Sequence, residues 1–181
     1  MPIERLWAGW RGEYLDSGTA AGADTSPGGP SEGGLSEGDE CVFCRIMASE
    51  QPDEQTYVVW RGEASVALLN AYPYTSGHLM VMPVRHVAEL DALEPDEGVE
   101  LWRTLLAAVT AVKAAYSPGG LNVGANVGQA GGAGIPGHLH LHCLPRWNGD
   151  TNFMTTVAEA RILPEALSVT WSRLRATWPP A

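Results

Sequence analysis

The chain has 181 residues and a formal charge of −10 at pH 7, long enough for one compact domain with a sizeable core and too short for two ordinary ones. A single lysine among eleven basic residues gives no basic face for a nucleic-acid backbone, which excludes a nonspecific DNA or RNA binder. No apolar run of about 18 residues occurs, and the start MPIERLWAGW lacks a basic segment followed by an apolar stretch, so no membrane partner and a cytoplasmic location are expected.

Residues 1–15 are rich in Trp, Tyr and Leu, which are costly to leave in water, so this arm is expected to dock on the domain or on a second subunit. Residues 16–40 carry Asp16, Asp24, Glu32, Glu37, Asp39 and Glu40 with no Lys or Arg, and Leu35 is their one large apolar residue. That is too little burial to offset the entropy of ordering, and the segment reads as a flexible acidic Gly/Ser/Pro-rich loop. The core begins at Cys41 with CVFCRIMASE. YVVWRGEASVALLN is broken at Arg61-Gly62-Glu63 into two hairpin strands, and GHLMVMPV reads as a third. Glu94-Pro95-Asp96-Glu97 marks a helix start, and Val99, Leu101, Trp102, Leu105, Leu106, Val109 and Val112 recur at helical spacing up to Ser117-Pro118-Gly119-Gly120. LNVGANVG is a fourth strand, AGGAGIPG a tight loop and HLHLHCLPR a fifth strand, followed by a 151–181 extension with a terminal helix at PEALSVTWSRLRATW. The pattern predicts an α+β fold, an antiparallel sheet of about five strands with one main helix plus a C-terminal helix.

Three of the five histidines fall in His138-Leu139-His140-Leu141-His142. Strand alternation puts the three imidazoles in a row on one face and the two leucines on the other. Such a row is either a site or the decoration of a solvent face. Just upstream, residues 128–137 have no bulky side chain before Ile135, so backbone amides can approach a ligand closely and wrap an anion. Imidazole is a competent nucleophile toward phosphorus and mostly neutral at pH 7, so a phosphate cradle beside a histidine row points to phosphoryl or nucleotidyl transfer. The rival reading has all three histidines holding a catalytic zinc that activates water. A third is a nucleotide-binding regulator with little turnover. Cys41-x-x-Cys44 is a metal or redox pair on spacing alone, and Cys143, on the face opposite His142, reads as core.

GHLHLHCLPR resembles the His-x-His-x-His signature of the histidine-triad (HIT) superfamily, and Gly77-His78 followed by Pro83 resembles its upstream strand. The resemblance covers roughly residues 41–150. LWAGWRGEYL and PRWNGDTNF are similar to the subgroup of diadenosine tetraphosphate phosphorylases and hydrolases. The resemblance implies that His140 is the nucleophile toward the α-phosphorus, that His142 hydrogen-bonds the phosphate or leaving oxygen, and that His78 orients it. It puts Asn70 where relatives carry a ribose-binding Asp, Asn126 and Ala133-Gly134 in the phosphate-binding segment, and Trp147 at an aromatic position near substrate. Relatives place Ser, Thr or Gln near Gly134 and Ile135, where this chain has neither hydroxyl nor amide side chain. It further implies a structural zinc held by Cys41, Cys44, His86 and His138, a nucleotide substrate, and a homodimer.

Overall fold

The computed structural model describes residues 41–150 and 165–180. The expected arm 1–15, the acidic loop 16–40 and the first part of the 151–181 extension lie outside the described residues. In chain order the elements are α1 Val42–Ala48, α2 Asp53–Thr56, β1 Val58–Arg61, β2 Ser65–Leu69, β3 Leu79–Pro83, a 3-10 turn Leu90–Ala92, α3 Pro95–Tyr116, β4 Gly120–Ala125, β5 Leu141–Arg146 and α4 Leu167–Thr177. The strands form one antiparallel sheet in the order β1-β2-β3-β5-β4, the α+β architecture expected from the pattern.

Each residue of β2 and β3 is buried, and this follows from packing on both faces of the sheet. Ala67, Leu69, Leu79, Val81 and Cys143 face α3 and α4 and pack with Leu101, Leu105, Ala108, Val112 and Leu174. The alternate residues Val66, Leu68, Met80 and Met82 face the other way, onto Cys41 and Phe43. Strands covered on both sides read as continuous apolar runs. Register then assigns the histidines to a face. His142 pairs with Met80 and Cys143 with Leu79, so His142 stands on the α1 side and Cys143 enters the core under the long helix, as expected.

Helix α3 starts at a capping box, Glu94 and Glu97 bonding each other's backbone amides with Pro95 in the first turn, and ends where Ser117 turns left-handed before Pro118. Its apolar stripe is wider than its buried face: Leu101, Leu105 and Val112 are buried, whereas Val99, Trp102 and Leu106 are at least half exposed. The expected fifth strand begins later than its sequence suggests. The ladder starts at Leu141, which pairs with Val81 of β3 and with Ala125, the last residue of β4. Residues 138–140 run past the end of β4, held by Leu139 N–H to the Val87 carbonyl at 2.7 Å. Alternation nevertheless persists there: Leu139 joins the core under α3, and His138 and His140 contact Phe43.

Helix α4 closes one edge of the sheet. Trp171 Nε1–H donates to the Val58 carbonyl at 2.7 Å and Arg175 to the Val59 carbonyl at 2.5 Å, which covers polar groups that an edge strand otherwise exposes.

Candidate active site and metal centre

Four imidazoles meet on the α1 face of the sheet. His138, His140, His142 and His78 are all buried. Their bonding partners fix which nitrogen of each ring carries the proton. His140 Nδ1 lies 2.8 Å from the carbonyl oxygen of His138; a carbonyl only accepts, so Nδ1 carries the hydrogen and the neutral ring has a bare lone pair at Nε2. His78 Nδ1 accepts the Tyr74 backbone N–H at 3.1 Å, so His78 donates through Nε2 to His142 Nδ1 at 2.9 Å. His142 then holds its own hydrogen on Nε2. Burial, with a smaller contribution from His140, lowers the His142 pKa to about 4, so this ring is neutral at pH 7. The neutral tautomer of His140 thus sets a bare Nε2 beside a donating Nε2–H on His142, in rings whose centroids are 5.1 Å apart.

The segment between β2 and β3 positions His78. A turn from Thr75 to His78 closes with a 3.2 Å backbone bond, and its third residue, Gly77, has φ +82°. A Cβ at Gly77 would also fall 2.8 Å from the Tyr116 ring, so conformation and space both require glycine. Asn70 sits at the root of the same segment. Its Oδ1 accepts the Tyr72 N–H at 2.9 Å, and its Nδ2 lies 3.4 Å from His78 Nδ1.

The Gly-rich loop is braced from within. The amides of Gly131 and Ala133 donate to the Gly128 carbonyl and that of Gly132 to Gln129, while Asn126 Nδ2 donates to the Gly132 carbonyl at 3.2 Å. A Cβ at Gly131 would lie 2.2 Å from the Val127 carbonyl oxygen. The cradle expected across residues 128–137 is therefore narrower, because amides 131–133 are engaged in holding the loop's shape. Among the described residues, the amides of Gly134, Ile135 and Gly137 donate to no protein acceptor. Ile135 packs on the Phe43 and Met80 cluster, which seats this stretch on the histidine side of the sheet.

Cys41, Cys44, His86 and His138 each bring one donor atom into a group spanning no more than 4.8 Å. His138 Nε2 donates to the Pro83 carbonyl at 2.9 Å, leaving Nδ1 unprotonated and turned to Cys41 Sγ at 3.5 Å and Cys44 Sγ at 3.6 Å. His86 Nδ1 lies 3.3 Å from Cys44 Sγ. A tetrahedral ion with bonds of about 2.3 Å to sulfur and about 2.05 Å to nitrogen sets its S···N edges at about 3.6 Å. Two thiols and two imidazoles at these spacings thus fit zinc. Burial lowers the His138 pKa, and the Pro83 carbonyl partly offsets this, which keeps the ring in the state a metal requires. The three triad rings share no focus, since His138 Nδ1 faces the cysteines and His140 Nδ1 faces a carbonyl.

Trp147 lies one residue past the end of β5 and packs edge-on against Tyr116 with centroids 6.3 Å apart. Two aromatic neighbours that sequence reasoning missed take places at the site. Phe43 of α1 packs on His138 and His140, and Tyr74 lies against His78 and His142. The one signal for the second was the Tyr72-Pro73-Tyr74 run just before Gly77-His78.

The HIT domain family model matches residues 51–149. The chain belongs to the HIT family. A protein of Mycobacterium tuberculosis named AP-4-A phosphorylase is 36% identical over 97% of this chain and 85% of its own length. Among solved HIT structures, a Zn-bound histidine triad family protein from Mycobacterium smegmatis superposes with TM-score 0.62 at 27% identity, covering 76% of this chain and 92% of that one. A hypothetical histidine triad nucleotide-binding protein from Sulfolobus tokodaii gives TM-score 0.62 and 27% identity over 76% and 91%. Among the described residues no helix is long and apolar enough to cross a membrane.

Proposed function

We propose that this HIT protein cleaves dinucleoside polyphosphates, diadenosine tetraphosphate foremost, by nucleotidyl transfer through a covalent intermediate on His140. The pairing of the His140 lone pair with the His142 donor carries this reading. His140 Nε2 attacks the α-phosphorus, the N–P bond forms, and the bond to the bridging oxygen breaks as ATP leaves. His142 Nε2–H hydrogen-bonds that oxygen as its charge develops, held in line by His78. Phosphate or water then attacks the same phosphorus, breaks the N–P bond and releases ADP or AMP. The amides of Gly134, Ile135 and Gly137 hold the phosphate oxygens, with Asn126 bracing the loop and Ala133 packed beneath it. Asn70 keeps a second Oδ1 lone pair for a ribose hydroxyl. The likeness to AP-4-A phosphorylase, over 97% of this chain and 85% of that protein, favours phosphate as acceptor. Product chromatography after incubation with diadenosine tetraphosphate tests it: phosphate-dependent ADP plus ATP is expected, AMP plus ATP regardless of phosphate makes water the acceptor, and no cleavage refutes the reading.

Zinc at Cys41, Cys44, His86 and His138 would be structural, since the four ligands leave no open position; it would tie α1 to the segment that carries His140. Three cysteines, an odd count with no disulfide among the described residues, suit a reducing compartment, the cytoplasm. We also infer a homodimer. Among the described residues α4 occupies the β1 edge, whereas β4 pairs with β5 alone and exposes Val123. The outward Val99, Trp102 and Leu106 add exposed apolar surface. Light scattering is expected to give the mass of two chains for the wild type and of one for a Val123→Lys, Trp102→Glu double variant; a wild-type mass of one chain refutes the dimer.

A further inference from the structure

The segment between β2 and β3 carries two rings that the mechanism above leaves unused. Tyr72 is 68% exposed and Tyr74 50%, yet their backbone is fixed. Tyr72 N–H donates to Asn70, Pro73 restricts the next residue, and Tyr74 N–H donates to His78. The Tyr74 ring centroid lies 4.8 Å from that of His78 and 6.1 Å from that of His142. The site thus has an aromatic at each end: Phe43, buried, against His138 and His140, and Tyr74, half exposed, against His142 and His78. A tyrosine side chain has only two rotatable torsions, so its ring loses little entropy when a planar partner stacks on it.

Displacement at phosphorus places the leaving oxygen opposite the nucleophile. With His140 attacking, the leaving half departs past His142, whose ring centroid lies 6.1 Å from that of Tyr74. We propose that Tyr74 and Tyr72 form a subsite for the leaving half of a dinucleoside polyphosphate, Tyr74 flanking its phosphates and Tyr72 stacking its base. The proposal rests on the nucleotidyl-transfer reading. Every base offers a π face, so the subsite tells a leaving group that ends in a nucleoside from one that ends in bare phosphate, with little regard for which base.

Diadenosine tetraphosphate and adenosine 5′-tetraphosphate deliver the same adenylyl group to His140 but release ATP and inorganic triphosphate respectively. The ratio of their kcat/KM values isolates the distal nucleoside. In Tyr72→Ala this ratio is expected to fall about tenfold, the scale of one lost stacking partner, and Tyr72→Trp is expected to restore it. An unchanged ratio, or equal loss on both substrates, overturns the subsite and leaves nucleotidyl transfer intact. Failure of the wild type to form a nucleotidyl adduct with either substrate overturns both.

Discussion

Replacing His140 with alanine is expected to lower turnover of diadenosine tetraphosphate by on the order of 10⁴-fold or more, the scale on which loss of a covalent nucleophile acts. The reason lies in the bonding of one ring. Because His140 Nδ1 is committed to the His138 carbonyl, its lone pair is confined to Nε2 and needs no reorganisation before attack. No neighbour substitutes for it: His142 turns a hydrogen outward, and the unprotonated nitrogen of His138 faces the cysteines. His142→Ala is expected to cost less, about 10²- to 10³-fold, since it removes a donor to a developing charge and leaves the nucleophile in place. Intact-protein mass spectrometry of the wild type mixed with substrate in the absence of phosphate should show one added nucleotidyl group, absent from His140→Ala. A His140→Ala variant within tenfold of wild type would refute the covalent route.

Strands β2 and β3 were legible in the sequence because both faces are covered, leaving two unbroken apolar runs. The histidine row was legible because alternation survives past the end of the ladder, where Leu139 still enters the core. Helix α1 was not. It is seven residues long and its first residue has no side-chain cap, so little in CVFCRIMA favours a helix locally. Its form follows from packing Phe43 onto the histidines and aiming two thiols at one point. The reach of the Gly-rich loop was likewise hidden, because glycine spacing does not say which amides close the loop on itself and which remain outward. The packing of Trp147 on Tyr116 was hidden as well, because it joins segments far apart in the chain.

The second large effect is expected at the metal centre. His138 belongs to both halves of the site: its Nδ1 faces Cys41 and Cys44, and its carbonyl accepts the hydrogen that sets the His140 tautomer. Releasing the metal should therefore loosen α1 and misorient the nucleophile together. Cys41→Ala is expected to abolish bound zinc and to destabilise the fold by about 3 kcal/mol or more, which lowers the thermal midpoint of a chain this size by about 6–12 °C. Cys41 is buried, so part of that loss is a cavity. His86 separates the two contributions. It is exposed and faces Cys44 Sγ, so His86→Ala removes a ligand and little packed volume. Elemental analysis is expected to find about one zinc per wild-type chain and much less in both variants, with His86→Ala losing activity along with metal. Metal content at wild-type level in both variants would refute this centre, and zinc loss with full activity in His86→Ala would refute its coupling to His140.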